Sequence, residues 1–237
     1  MTTQVTATVA NYLRTIFDLE EDRVEVRRAR IAERTGNSKA SVAQMLRRMR
    51  DQGLLDFTDE RLVVPTKAGR DLGVALTRRH RLAERMLVDV VGLPRLQAHR
   101  VASGWELSMD KATETQLMHL LRYPTTDAWG NPIPALWQLG FHDSPILLPG
   151  LPLSEAVRDT GSARLSVQAF SEHVLNDESA ITRLLEAGIE PGATIVARKQ
   201  GAAVSVSGDE SVDLPTQLAA SIRVTLLGAA DADAYTH

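Results

Sequence analysis

The chain contains no cysteine. Disulfides, thiolate zinc sites, iron–sulfur ligation and thiolate nucleophiles are therefore excluded, and any metal must be held by nitrogen and oxygen donors. No run of about 18 apolar residues is present that would span a bilayer, and no N-terminal stretch joins a basic segment to an apolar core. These absences lead us to expect a cytoplasmic protein without a membrane partner. HExxH is missing too, as is any nucleophile set beside a base, so a metallohydrolase reading finds little support. Net charge is small, with 27 Lys and Arg against 30 Asp and Glu, but charge is unevenly spread. Residues 1–80 carry 15 basic side chains against 11 acidic ones, and the remainder carries 12 against 19. A basic start joined to an acidic remainder suits contact with phosphate at one end only.

What is present is most specific between Arg28 and Gly53, a stretch that reads as helix, tight turn and second helix. Val42, Met45, Leu46 and Met49 recur at helical spacing and define an inward face. The opposite face carries Ala40, Gln44 and Arg47, flanked by Ser41 and Arg48. An amide such as Gln44 pairs with adenine in a major groove, a hydroxyl such as Ser41 pairs permissively, and Ala40 meets a thymine methyl. Arg47, Arg48 and Arg50 suit phosphates, as does Arg28 at the entry to the first helix. Gly36 falls where the chain turns, and Ser38 is placed to N-cap the second helix. An ordinary amphipathic helix pair with a solvated arginine face is the competing interpretation.

Around this pair, residues 4–22 have the apolar spacing of a preceding helix. Leu54–Thr58 and Leu62–Val64, separated by Asp59-Glu60-Arg61, read as a β-hairpin with Arg61 at its tip, within reach of DNA. The sum is a winged helix-turn-helix. Thr66 should cap a long helix over Lys67–Val91, stopped by Gly92 and Pro94. Helices over Arg95–Leu107 and Lys111–Leu121 complete a layer suited to dimerisation, since a symmetric dimer doubles the short half-site that one module contacts. From Tyr123 to Pro152 six prolines and three glycines suggest a linker. Beyond it, β-branched runs at Arg164–Phe170, Thr194–Arg198, Ala202–Ser207 and Ser221–Leu227, with a helix near Glu178–Ala187, outline a small SH3-like β-barrel, and Gly228 to His237 should fray. The expected class is α+β: a winged helix-turn-helix domain (1–66), a helical dimerisation and metal-binding domain (67–123), a Pro-rich linker (124–160) and an SH3-like β-barrel (161–228).

YLRTIFDLEE (12–21), RARIAER (28–34), HRLAERML (80–87), GNPIP (130–134) and LLEAGIEPGATI (184–195) together resemble the diphtheria toxin repressor family of iron- and manganese-dependent regulators. The resemblance covers nearly the whole chain. It implies a dimeric repressor whose affinity for a double-stranded operator rises with divalent metal, and it puts Ser38, Ala40 and Gln44 at base-contacting positions. At the family's activating metal site it places Asn11, Ser103, Glu106 and Leu107, of which only Glu106 is a retained ligand. Leu107 offers no donor and a transition metal wants imidazole, thiolate or several carboxylates, so no tight site is expected there. Glu106 is then structural, or paired with an arginine such as Arg14. The family's ancillary site fares better. His80 and Glu84 match, four apart on one helix face, and His99 matches from the next helix. Alignment adds Asp177 from the barrel as a further carboxylate but puts Ala180 at the second barrel position, unless His173 or Glu178 substitutes. Two imidazoles and a carboxylate suit Fe, Mn, Co or Zn.

The chain is thus expected to be a sequence-specific DNA-binding repressor that senses divalent metal through His80, Glu84 and His99. A regulator indifferent to metal, or one sensing another ligand in the altered activating pocket, is the alternative.

Overall fold

A computed structural model of the chain describes residues 5–142 and 149–228. They divide into two compact units, 5–128 with 132–142, and 129–131 with 149–228. The fraying expected at the C-terminus falls on 229–237, outside the described residues, while Gly228 closes a strand.

The first unit begins with α1 (Ala7–Glu21), capped by the Thr6 side chain. After it come α2 (Arg28–Thr35) and α3 (Lys39–Asp51), the helix-turn-helix. Gly36 has φ +66°, a left-handed conformation that glycine adopts without penalty. Ser38 Oγ accepts from Ser41 N at 3.1 Å, the cap the sequence calls for. Val42, Leu46 and Met49 are buried, and they meet Leu13, Ile16 and Leu19 of α1 and Ile31 of α2 in one core. The wing is an antiparallel pair, β1 (Leu55–Phe57) and β2 (Val63–Pro65).

Thr66 caps α4 (Lys67–Asp89) by accepting from Gly69 N at 3.1 Å. A Cβ on Gly69 would lie 1.7 Å from the Leu54 carbonyl oxygen, so only glycine lets α4 come this close to the wing. The layer is completed by α5 (Arg95–Trp105) and by α6 (Lys111–Leu120), which Asp110 caps. Leu82, Leu87, Ala98, Ala102 and Met118 form its core.

Ion pairs far apart in sequence tie these helices together. Asp18 of α1 and Asp22, its C-cap, both pair with Arg34 of α2. Burial works against the Arg34 charge, but the two carboxylates outweigh it and raise its pKa. Arg70 of α4 makes a forked bond to Glu20 at 2.8 and 2.9 Å, and Arg81 a similar one to Glu21 at 2.9 and 2.5 Å.

Residues 124–142 hold more order than a linker needs. Thr126 bridges to Pro132, a 3-10 turn covers Leu136–Leu139, and Ile133 and Leu136 join the core around Leu82. Trp129 belongs to the other unit, where it is buried and stacks on Phe170 with ring centroids 6.1 Å apart. Proline and glycine here fix turns, and the apolar residues between them supply anchors.

The second unit runs β3 (Leu151–Pro152), α7 (Leu153–Ala156), β4 (Ser162–Phe170), α8 (Glu172–Leu175), α9 (Glu178–Glu186), β5 (Thr194–Gln200), β6 (Ala203–Ser207), β7 (Ser211–Pro215), α10 (Thr216–Ala219) and β8 (Ile222–Gly228). The strands form one antiparallel SH3-like sheet in the order β3-β8-β4-β5-β6-β7. Irregular pairing of β4 with β8 at Arg164/Leu165 and Val167/Ala169 lets the sheet coil. β7 escapes the β-branched pattern because it alternates Val212 and Leu214 with polar residues and ends in Pro215, a composition suited to an edge.

Candidate functional site

The reading face is built as the periodicity implies. With Val42, Leu46 and Met49 committed to the core, Ala40, Ser41, Gln44, Arg47 and Arg48 are left exposed on α3. Ser38 is exposed at its N-terminus, with Ser41 Oγ 2.9 Å from its own hydroxyl. Beside them an open depression of about 310 Å³ is lined by Thr8, Tyr12, Asn37, Ser41, Gln44, Met45 and Arg48. Arg28 lies over the Phe57 ring with its guanidinium carbon 4.9 Å from the centroid, a cation–π contact joining α2 to the wing. Arg61 is exposed between β1 and β2 and has φ +61°, in the left-handed region, so the wing tip presents it by a tight turn. Sequence spacing did not disclose the bonds beneath this face. Arg27 donates to the Glu60 carbonyl at 3.3 Å and fastens the wing to the start of α2. Tyr12 is buried beneath the face, and burial, opposed by the neighbouring Thr35 and Asn37 side chains, raises its pKa.

In the helical layer, His80 and Glu84 project from one face of α4 toward His99 on α5. His80 is fully buried, and Glu84 and His99 are 1% and 5% exposed. His80 Nε2 lies 3.3 Å from His99 Nδ1 and 3.3 Å from Glu84 Oε1, and His99 Nδ1 lies 2.6 Å from Glu84 Oε1. Burial alone would raise the Glu84 carboxyl, but the adjoining His80 and His99 more than offset it and hold the group below the usual carboxylate range. Its second oxygen, Oε2, is buried with no hydrogen-bond partner among the described residues.

Glu106, the C-cap of α5, sits behind His80, with Oε2 3.1 Å from His80 Nδ1 and 3.1 Å from Arg14 Nη1. A carboxylate there favours the tautomer with its proton on Nδ1 and leaves the Nε2 lone pair facing Glu84 and His99. Ser103 accepts from Arg14 Nη2 at 3.4 Å. Asn11 is exposed, and Leu107 packs against the core of α1 to α3. In the second unit, Asp177 caps α9, its Oδ1 accepting from Ala180 N at 3.0 Å, so one oxygen of this expected ligand has a structural task.

Residues 4–63 match the iron dependent repressor N-terminal DNA binding domain, and residues 66–135 match the iron dependent repressor metal binding and dimerisation domain. The chain is 40% identical over 227 residues to the iron-dependent repressor IdeR of Mycobacterium tuberculosis, covering 92% of this chain and 96% of that one. The chain belongs to the iron-dependent repressor family. To the diphtheria toxin repressor of Corynebacterium diphtheriae this repressor is 34% identical over 218 residues, covering 92% of the chain and 96% of that relative. Its fold matches the crystal structure of the metal-dependent transcriptional regulator MtsR with a TM-score of 0.76 at 21% identity, over 94% of this chain and 100% of that one.

Family members bind divalent metal, so the repressor's two donor sets were tested against one. His80, Glu84 and His99 fit. A tetrahedral ion with bonds of about 2.0–2.1 Å separates its ligand atoms by roughly 3.3 Å. Two of the three donor separations already have that value, and Glu84 Oε2 is a buried acceptor still open. The second set does not fit. Asn11 is turned to solvent, Leu107 has no donor atom, and Ser103 and Glu106 are both engaged by Arg14.

Proposed function

We propose that this chain is a sequence-specific, homodimeric, cytoplasmic repressor, not an enzyme, whose operator affinity rises when His80, Glu84 and His99 hold a divalent transition metal of the iron, manganese, cobalt or zinc class. The convergence of these three buried donors within 3.3 Å carries the reading. The division of labour follows the domains: 1–66 reads DNA, 67–123 dimerises and holds metal, and 161–228 is the SH3-like domain.

On the DNA side, Gln44, Ser41, Ala40 and Ser38 meet base edges, while Arg28, Arg47, Arg48 and Arg61 take phosphates or sugar. When bound, the ion supplies a positive charge held jointly by α4 and α5. The protein does the rest. Glu106 keeps His80 in the tautomer that presents Nε2, Glu84 stays ionised, and the apolar packing around Leu82 and Ala102 keeps α4 against α5. A metal that binds the DNA-competent arrangement more tightly than the free one shifts the population toward it.

The test is binding to operator fragments selected from genomic DNA, at fixed salt, in chelator and then with Mn, Fe(II), Co or Zn. The wild-type chain should bind tightly only with metal. Gln44→Ala should cost about 1–3 kcal/mol and relax specificity at one position, whereas Arg48→Ala should weaken all sequences alike and lower the salt slope by about 1. Equal binding in chelator and metal would instead favour the metal-independent regulator.

A further inference from the structure

Two of the side chains that do not fit an activating metal, Ser103 and Glu106, meet a guanidinium. Arg14 and Glu106 are deeply buried, with side chains 10% and 3% exposed, and Arg14 Nη1 lies 3.1 Å from Glu106 Oε2. Its other terminal nitrogen donates to Ser103 Oγ at 3.4 Å. A planar guanidinium can pair with a carboxylate through one terminal nitrogen and donate to a hydroxyl through the other, which a lysine ammonium does less well. The position also calls for a cation. Glu106 caps the C-terminus of α5, where the unsatisfied carbonyls already leave partial negative charge and a carboxylate adds more. Beside it, Leu107 turns its apolar side chain onto the core of α1 to α3.

We propose that Arg14 is a built-in substitute for the activating cation: its guanidinium, set against Glu106 and Ser103, fixes α1 to the end of α5 without a metal. The strut reaches the reading unit through bonds at other points of α1. Asp18 and Asp22 grip Arg34 of α2. A covalently attached cation does not dissociate, so this position stabilises one arrangement of α1 permanently and switches nothing. Metal response is left to His80, Glu84 and His99, which touch the strut through the shared Glu106 oxygen. One ion per protomer follows, where two donor sets would hold two. The proposal rests on the DNA-reading assignment above only for its effect on operator affinity.

The experiment is hydrogen exchange on the full chain in chelator, comparing wild type with Arg14→Gln and Arg14→Lys, alongside operator affinity and a cobalt titration of the wild type. Amides of α1 should exchange at least about tenfold faster in Arg14→Gln, because the buried carboxylate loses its counter-charge. Arg14→Lys should recover part of that protection, and the wild type should take up one cobalt per protomer. Unchanged α1 exchange in Arg14→Gln overturns the proposal. So does a second tight cobalt site in the wild type, a result that needs no variant to fold. If α1 exchange responds as expected while no fragment is bound under any condition, the strut stands and the DNA-reading assignment falls.

Discussion

Replacing His80 by alanine should make operator binding indifferent to added metal, with affinity fixed at the wild-type level in chelator. His80 contributes one of three donors and shares its other nitrogen with Glu106, so its loss removes a ligand and a link to the strut together. Mutating an outer-shell partner typically costs 10–100-fold in metal affinity, and loss of a direct ligand should cost at least about 100-fold. Because alanine also leaves a cavity at a fully buried position, Glu84→Gln is the companion variant. It preserves volume, removes the ionised oxygen nearest both imidazoles, and should lose the metal response to a similar degree. His119→Ala serves as the control, since His119 is exposed and its ring nitrogen lies 3.0 Å from the Tyr123 hydroxyl on the same stretch of chain. Fluorescence anisotropy on a selected operator, with and without metal, reads all three. A wild-type metal response in both His80→Ala and Glu84→Gln would remove the ligand assignment.

Glu114→Ala should produce the largest loss of stability. Glu114 of α6 is fully buried and receives two guanidinium groups from α4, Arg78 Nε at 2.5 Å and Arg79 Nε at 2.7 Å. Arg78 is itself buried, and it also donates to Gln138 Oε1 at 3.0 Å and to the Ala135 carbonyl at 3.3 Å. Removing the carboxylate strands a buried cation with only neutral acceptors, a loss of about 3–5 kcal/mol. For a chain of this size that lowers Tm by about 10 °C, at 2–4 °C per kcal/mol. Glu114→Gln keeps the volume and one acceptor oxygen, and should fall between. Urea unfolding of the three proteins settles the order. A loss below about 1 kcal/mol in Glu114→Ala would mean that solvent reaches Arg78 and screens it.

Local rules carried much of this fold. The caps at Ser38 and Thr66, the left-handed Gly36, the buried stripe Val42, Leu46 and Met49, and the wing flanking Asp59-Glu60-Arg61 each depend on residues within a few positions of one another, where spacing is informative. Of the metal trio, His80 and Glu84 share a helix face and are readable from spacing, but His99 comes from another helix and was placed by resemblance. What spacing could not show is long-range pairing. Arg14 meets Glu106, Arg78 meets Glu114, and Arg81 meets Glu21 across intervals no periodicity spans. Glu106, read from the resemblance as structural or paired with an arginine such as Arg14, has one oxygen shared by Arg14 and His80, and Asp177 caps α9. The stretch 124–142 shows a further limit of local rules. Its prolines and glycines mark turns, and only burial of Ile133 and Leu136 reveals that the turns are packed.

Linkage between metal and operator tests the central claim most directly. Calorimetric titration of metal into the free protein and into its operator complex, at one salt and pH, measures both arms of the same cycle. The account predicts one ion per protomer in each case and tighter binding in the complex, by the factor with which metal raises operator affinity, as reciprocity requires. Equal metal affinity with and without operator would contradict it, because an ion bound equally well in both states shifts neither.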